Sequence, residues 1–364
     1  MTESGELEAR FDAGIDLAKI RELLVQARER AGLPAESICT MNLVAIHFSA
    51  AAYERSKPAL EAASALHPAR LISLIADPKG APDQLIARVS TVRPTGSAVA
   101  LDRIVLIAQG DAVRHLESAL TGLLMPEVPL IVVWGGRPEG DLLQRAAESA
   151  DRVIIDSSTR PVEALIDVAR IVQRGAPIGD LAWARIFPWQ ALAAEVLDLP
   201  NLREHRGNIK SVQVTCAGEP GPGAALLAGW FQSRVRRAHV ELICGSEESV
   251  APAAVESTAD PAVLAAQQSE PLAVGNITEL RFEAPPAVFT LRREKGILVA
   301  NVEGDDDGEL VHRVRLPPDT PGRLLAMELK LLSGQDDLYA AAVAQAARLI
   351  AVRGSIAQSA AVKS

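Results

Sequence analysis

The amino-acid sequence predicts an α/β protein built from two α/β-type domains. In the first half, short apolar runs alternate with segments of helical periodicity. In the second half, two helix–strand pairs precede a stretch of alternating polar and apolar residues. Strand–helix alternation at this spacing is typical of a parallel sheet covered by helices. We therefore expect a parallel sheet in the N-terminal half and a mixed sheet with an antiparallel meander in the C-terminal half.

The elements of the first half follow from apolar periodicity and from turn residues. A helix begins near Leu17 and ends at Gly32, and a helix after residue 50 is interrupted or restarted at Pro58. A turn at Pro94-Thr95-Gly96 separates two strands. The predicted strands cover residues 39–48, 70–75, 85–92, 99–107, 129–134 and 152–156. After the helix that begins near Leu17, the predicted helices cover residues 50–66, 111–124, 141–150 and 161–174.

The second half begins near Pro177, and Pro188 is expected to open a fresh helix there. Residues 245–270 are rich in Ala, Ser, Glu and Pro, which predicts a mobile insertion. The remaining predictions are strands at 208–216 and 239–244, a helix after Gly221–Gly223, a meander over 276–316, and closing helices from Pro321 and Asp337. The predicted domains are residues 1–178, with 1–14 flexible, and residues 179–364.

Charge and composition exclude several classes of protein. The 364 residues include 37 Lys and Arg against 46 Asp and Glu, a formal net charge of −9 with a pI near 5.3. Nucleic-acid binding requires a concentrated positive surface, so no nucleic-acid partner is expected. No apolar run approaches a membrane span, and the acidic N-terminus resembles neither a signal nor a transit peptide. We expect a cytoplasmic protein without a membrane partner.

Metal and cofactor motifs are missing from the sequence. It has no CxxC and no HExxH, and its six histidines are scattered. Asp305-Asp306-Asp307-Gly308 lacks the alternating oxygen ligands of a calcium loop and is interpreted as an exposed hairpin turn. We therefore expect no metal, no cofactor and no catalytic residue.

One alternative is an enzyme that binds a sugar phosphate or a nucleotide. Gly135, Gly136 and Gly140 follow a predicted buried strand, and glycines there expose N–H groups to an anion or simply let the chain turn. Ser157 and Ser158 follow the next strand, where ligands of parallel sheets usually bind. The sequence contains neither GxGxxG nor GxSxG.

The cysteines and tryptophans supply further candidates. Cys39 and Cys216 lie in predicted strands, whereas Cys244 directly precedes the predicted insertion and is the candidate redox residue. Aromatic residues make up only 3% of the chain, which draws attention to the tryptophans. Trp183 and Trp189 suit either core packing or an interface.

Several segments together resemble the OpcA family, the glucose-6-phosphate dehydrogenase assembly proteins. The resemblance extends from about residue 40 to 345, and the most specific pieces are VVWGG, DRVIIDSS and WARIFPW. The matching segments are MNLVAI (41–46), HPARLISLIA (67–76), PEVPLIVVWGG (126–136), ADRVIIDSS (150–158), DLAWARIFPWQALAAEVLD (180–198), ALLAGWFQSRV (225–235) and LLAMELKLLSGQDDLYAAAV (324–343).

The resemblance implies a non-catalytic activator of bacterial carbohydrate metabolism. Such a protein binds glucose-6-phosphate dehydrogenase and favours its active oligomer, which supports NADPH production in the oxidative pentose phosphate pathway. Trp and Arg would anchor the contact, and Asp would orient Arg, or the same residues would hold the fold. The motif residues carried over are His67, Arg70, Trp134, Arg152, Asp156, Trp183, Arg185 and Trp189.

Overall fold

The computed structural model describes residues 2–3, 6–11, 15–33, 39–93, 100–136, 141–200, 202–245, 275–304 and 310–361. Four predictions lie wholly or largely outside them. These are the turn at 94–96, the role of Gly140, the mobile insertion at 245–270 and the acidic turn at 305–308.

Helices and strands alternate along the described chain. The strands are β1 (Thr2–Glu3), β2 (Leu7–Phe11), β3 (Met41–His47), β4 (Ala69–Asp77), β5 (Gln84–Arg93), β6 (Leu101–Gln109), β7 (Leu130–Trp134), β8 (Arg152–Ile155), β9 (Ile178–Asp180), β10 (Ser211–Ala217), β11 (His239–Gly245), β12 (Ile277–Ala284), β13 (Ala287–Glu294), β14 (Ile297–Glu303) and β15 (Leu310–Arg315). The helices are α1 (Leu17–Arg30), α2 (Ala50–Leu66), α3 (Leu116–Leu123), α4 (Asp141–Ser149), α5 (Ala164–Gln173), α6 (Leu181–Asp198), α7 (Pro222–Arg234), α8 (Pro321–Glu328) and α9 (Asp337–Ala361).

The chain forms two compact units, and their segments are interleaved along the sequence. The first unit comprises residues 1–156, 175–181 and 319–335. The second comprises residues 157–174, 182–318 and 336–364. The domain boundary after residue 178 therefore stays a prediction.

The first unit contains a sheet with the order β1-β5-β6-β4-β3-β7-β8-β9, and β2 also pairs with β5. Six neighbouring strands are parallel to one another, in the order β6-β4-β3-β7-β8-β9. Strand β5 pairs antiparallel with β6 on one side and with β1 and β2 on the other. Strands β3 and β4 are buried almost throughout, which explains their continuous apolar sequences. The predicted α/β class is confirmed, with an antiparallel edge added.

The second unit contains a sheet with the order β11-β10-β12-β13-β14-β15. Strands β10 and β11 are parallel, and the pairs from β10–β12 to β14–β15 are antiparallel, which confirms the predicted meander. Phe282 stacks on Phe289 with ring centroids 4.6 Å apart and also contacts Phe231 of α7. This packing buries one face of the sheet.

Small residues allow the helices of the second unit to approach closely. A Cβ at Gly229 of α7 would lie 2.2 Å from the carbonyl oxygen of Ala342 in α9. Ala342 and Ala346 are fully buried. The core is therefore completed by close backbone contact, which is consistent with a chain poor in aromatic residues.

Four sequence predictions are wrong in detail. The helix expected to be interrupted or restarted at Pro58 continues through that residue in α2. Pro188 lies inside the continuous helix α6, because buried residues continue on one face from Ile186 through Trp189 to Val196. This burial offsets the hydrogen bond that proline cannot donate, which costs about 3 kcal/mol. The expected flexibility of residues 1–14 does not hold for β2, which pairs with β5. The helix expected from Asp111 begins as a 3-10 turn at Gly110–His115 and becomes α-helical in α3.

Candidate functional site

The parallel strands of the first sheet define where a ligand would bind. Numbered along the chain, they run in the order third, second, first, fourth, fifth, sixth, which is the order of a dinucleotide-binding sheet. The chain leaves β3 for β4 on one side and later returns to β7 on the other. In such sheets the ligand crevice opens at the carboxyl ends of these two central strands.

Two aromatic rings fill this crevice. Phe48 follows β3 and Trp134 ends β7, and their ring centroids are 5.7 Å apart in an edge-to-face arrangement. Trp134 is buried, whereas 43% of Phe48 is exposed. A Cβ at Gly136 would lie 2.7 Å from the Phe48 ring and 2.9 Å from the Trp134 ring. Gly136, predicted as part of a turn or an anion site, therefore accommodates side chains of this protein, whereas a Cβ at Gly135 would meet the carbonyl oxygen of Ile46 at 2.5 Å.

The first strand–helix turn, where such folds bind phosphate, lacks the glycines of a phosphate-binding turn. The sequence from His47 to Ala52 contains no glycine. Ser49 caps α2 by accepting a hydrogen bond from the N–H of Ala52. His47 is buried against Tyr53, and its Nε2 lies 3.4 Å from the hydroxyl oxygen of Ser56. Burial lowers the pKa of His47 to about 4, so its ring is neutral near pH 7.

His67 and Arg70 lie where the chain enters β4. The Nε2 of His67 is 3.0 Å from the carbonyl oxygen of Ala326. Arg70 donates to the carbonyl oxygen of Leu123 and lies 3.7 Å from Asp102, which also binds Arg28 at 2.9 Å. These partners belong to the same unit, and the contacts stabilise its fold.

Arg152 joins two motifs that are distant in sequence. Its Nη2 donates to Oε2 of Glu328 at 2.8 Å, and its Nη1 donates to the carbonyl oxygen of Gly334. A Cβ at Gly179 would lie 2.4 Å from that Glu328 oxygen, so the ion pair occupies the space that a side chain at Gly179 would need. Asp156 is half-buried and interacts with other groups of the chain.

Trp183 supports the start of α9. Its Nε1 donates to Asp336 at 3.1 Å, and its ring lies 5.8 Å from that of Tyr339. The other carboxylate oxygen of Asp336 accepts hydrogen bonds from the first N–H groups of α9. Trp189 is buried and Arg185 is half-buried on the same helix, α6. The structure brings Trp183 to a helix cap, and the partner-binding role of all three residues stays a prediction.

Sequence reasoning missed the two aromatic rings that are most accessible. Besides Phe48, 53% of Phe187 is exposed, although its neighbours Ile186 and Trp189 are buried. The exposure of Phe187 could be predicted only from a helix that continues through Pro188, and the prediction from sequence divided the helix there. Helical spacing through Pro188 places Phe187 on the exposed face with Ala191 and away from Trp189.

The cysteines differ in accessibility as expected. Cys216 is fully buried, and burial raises the pKa of its thiol to about 12. Cys244 is exposed beside it on the neighbouring strand, and Arg353 Nη2 lies 2.7 Å from its sulfur. Cys39 is half-buried, and burial raises the pKa of its thiol. A redox role for Cys244 stays a prediction.

Two other kinds of site are absent from the part of the chain that the structure describes. It contains no group of three or more His, Cys, Asp or Glu side chains placed to hold a metal ion. None of its helices is long and apolar enough to span a membrane.

These features define an α/β protein whose first sheet has the strand order of a dinucleotide-binding fold and whose crevice is filled by its own side chains. Two family models match the chain. One is described as the glucose-6-phosphate dehydrogenase subunit N-terminal domain and matches residues 60–170; the other is described as the C-terminal domain of that subunit and matches residues 176–343. The chain belongs to the OpcA family, as the sequence motifs predicted.

Curated relatives match over part of their length. A protein of Synechocystis sp., provisionally named OxPP cycle protein OpcA, is 31% identical over 183 residues, which cover 48% of this chain and 38% of the relative. The equivalent protein of Nostoc punctiforme is 28% identical over 178 residues, covering 46% of this chain and 38% of the relative. The matched segments therefore span less than half of these relatives.

Solved structures show a weaker likeness. A dehydrogenase from Chromobacterium violaceum has a TM-score of 0.48 at 10% identity, covering 90% of this chain and 100% of that one. Glucose-6-phosphate 1-dehydrogenase from Mycobacterium avium has a TM-score of 0.42 at 11% identity, covering 86% and 91%. Likeness at this level carries no argument about function.

Proposed function

We propose that this chain is a non-catalytic partner of glucose-6-phosphate dehydrogenase that binds the enzyme and favours its active oligomer in the bacterial cytoplasm. It thereby supports NADPH production in the oxidative pentose phosphate pathway. The proposal depends mainly on one observation, the filling of the central crevice by Phe48 and Trp134. The choice of partner is supported by the descriptions of the two matching family models.

The mechanism requires differential binding and no chemistry by the chain itself. A partner shifts an equilibrium only if it binds one state of the enzyme more tightly than the other. A preference of about 100-fold stabilises the favoured state by roughly 2.7 kcal/mol. This is sufficient to make a minor active state the major one. The chain thereby acts as an allosteric activator.

We propose the residues that contact the dehydrogenase from the solvent exposure of their side chains. Phe48 and Phe187 offer aromatic rings to a partner, and aromatic side chains are favoured anchors of protein contacts. Trp134 packs beneath Phe48, and Arg152, Trp183 and the other buried motif residues hold the surfaces in position.

The alternative is an enzyme with a sugar-phosphate or nucleotide site near Gly135 and Gly136, or near Ser157 and Ser158. It is disfavoured near Gly136 because the space over that residue contains aromatic rings, and Ser157 is buried, whereas Ser158 is exposed. Calorimetry of the isolated chain with glucose 6-phosphate and with NADP⁺ separates the two functions. We expect no binding at millimolar ligand, and a micromolar Kd for either ligand would favour the alternative.

The direct test is a titration of the chain into purified glucose-6-phosphate dehydrogenase from the same organism. Activity and mass by light scattering are followed together. We expect a saturable rise in activity that coincides with one larger species containing both proteins. Bovine serum albumin at equal concentration is the control for nonspecific protein effects. Unchanged activity and mass would refute the proposed function.

A further inference from the structure

The second sheet has one face that α7 covers and one that points away from it. Leu280, Phe282 and Leu291 lie on the covered face and are fully buried. Side chains alternate along a strand, so the residues between them share the opposite face. We call this opposite face of β10–β15 the outer face.

The centre of the outer face is little exposed to solvent, and charged side chains lie beside it. Thr290 and Val299 lie at its centre, on β13 and β14, and are only 8% and 4% exposed. Ion pairs surround them, with Arg292 bound to Glu279 at 2.6 Å and Arg281 bound to Glu283 at 2.9 Å. Thr290 and Val299 are already covered within the chain itself, so a partner would contact the charged side chains around them.

Two arginines lie at one edge of this face, and Glu294 and Glu303 are exposed on the neighbouring strands β13 and β14. Arg313 and Arg315 are exposed on the edge strand β15, opposite Val299 and Ile297 of β14. Further in, glutamates of β12 already balance the charges of Arg281 and Arg292. In a chain with net charge −9, this edge is suited to acidic groups on another protein.

The size of the outer face suits a protein partner. Six strands spaced about 4.8 Å apart, each about 23 Å long, present roughly 550 Å² in projection. Side chains make the accessible area larger than its projection. A standard protein interface buries about 800 Å² on each side. A small ligand would leave most of this surface uncovered.

We propose that the outer face of the second sheet is a further surface that docks glucose-6-phosphate dehydrogenase, in addition to the contacts of Phe48 and Phe187, with Arg313 and Arg315 opposite acidic side chains of the enzyme. This inference rests on the proposed function and adds a surface to it. The six strands all lie within the stretch matched by the family model described as the C-terminal domain of the dehydrogenase subunit.

A charge-reversed variant tests the surface. In Arg313→Glu/Arg315→Glu, we expect the concentration for half-maximal activation of the dehydrogenase to rise at least tenfold at low salt. The matched control is Arg10→Glu/Arg170→Glu, which changes net charge equally at two exposed arginines outside this sheet. We expect less than a threefold change for the control.

The outcomes separate this surface from the proposed function. If the wild-type chain does not activate the enzyme, the proposed function fails. If the wild-type chain activates and the Arg313→Glu/Arg315→Glu variant keeps the wild-type midpoint, the docking surface is wrong and the function stands. Circular dichroism and thermal unfolding establish that the variant is folded.

Labelling of the unmutated chain provides a test that is independent of variant folding. Phenylglyoxal modifies exposed arginines, and mass spectrometry quantifies the reaction at each one. We expect the dehydrogenase to slow labelling of Arg313 and Arg315 at least fivefold and to leave Arg10 and Arg170 unchanged. Equal labelling with and without the enzyme would overturn the proposal. If the chain without the enzyme has the mass of a dimer and Arg313 and Arg315 are already protected from labelling, the face binds a second copy of the chain instead.

Discussion

Arg152 and Glu328 form a buried ion pair, with 2.8 Å between Nη2 and Oε2, although most of the second unit separates them in sequence. The pair fastens α8 to β8 within the first unit. It thereby connects the motifs ADRVIIDSS and LLAMELKLLSG. A residue selected from sequence as a contact anchor is placed by the structure in the interior.

Removing one partner of this pair should destabilise the first unit strongly. In Glu328→Gln, the Arg152 charge remains buried without its counter-charge, which costs about 3–5 kcal/mol. The control Asp167→Asn breaks an exposed pair with Arg170 and should cost at most about 1 kcal/mol. Urea unfolding measures both variants. A loss for Glu328→Gln no larger than for the control would contradict the interpretation.

The filled crevice predicts that Gly136 does not tolerate a side chain. The Cβ of Gly136→Ala would displace the rings of Phe48 and Trp134, and overpacking of this kind costs about 1–3 kcal/mol. At Gly207, no atom lies within 4 Å of the position that a Cβ would take, so Gly207→Ala should be neutral or slightly stabilising. Urea midpoints compare the two variants, and equal midpoints would show that the rings do not fill this space.

Buried and exposed aromatic residues of α6 should respond differently to truncation. Trp183→Ala leaves a cavity and removes a hydrogen bond to Asp336, so we expect a stability loss of about 3–5 kcal/mol. Phe187→Ala should change stability by less than about 0.5 kcal/mol and weaken activation of the dehydrogenase. Thermal unfolding and the activation midpoint are measured for each variant. Normal activation by Phe187→Ala would remove this ring from the contact.

Protonation of His47 should destabilise the protein in mild acid. Its pKa of about 4 in the folded protein lies below the ordinary value of about 6.5, so the unfolded chain binds the extra proton. The stabilisation is complete above about pH 6.5 and is lost as the pH falls towards 4, by about 3 kcal/mol in total. We expect His47→Gln to flatten the dependence of unfolding free energy on pH in this window. The exposed His239→Gln is the control, and identical curves for the two variants would contradict the account.

The parts of the fold that were predictable depend on local pattern. The apolar run of β3 and the alternation in β12 determine strands through their own residues, and both were found near their predicted positions. The prediction at Pro188 was wrong because the effect of a proline on a helix depends on tertiary burial of neighbouring residues. Local periodicity contains no information about that burial.

The candidate site was less predictable because it depends on strand order. Phe48 and Trp134 lie far apart in sequence and meet only because β3 pairs with β7. The same limit applies to Arg152, whose counter-charge is supplied by α8. The motifs identified the family, but the exposure of each side chain follows from contacts between distant segments.

If the chain acts by favouring an active oligomer of the dehydrogenase, the activation must depend on the concentration of the enzyme. Activity with saturating chain is compared with basal activity over a thousandfold range of dehydrogenase concentration. Mass action predicts large activation in dilute enzyme and little activation where the enzyme already assembles alone. Activation by the same factor at every concentration, with no change in mass distribution, would contradict this mechanism.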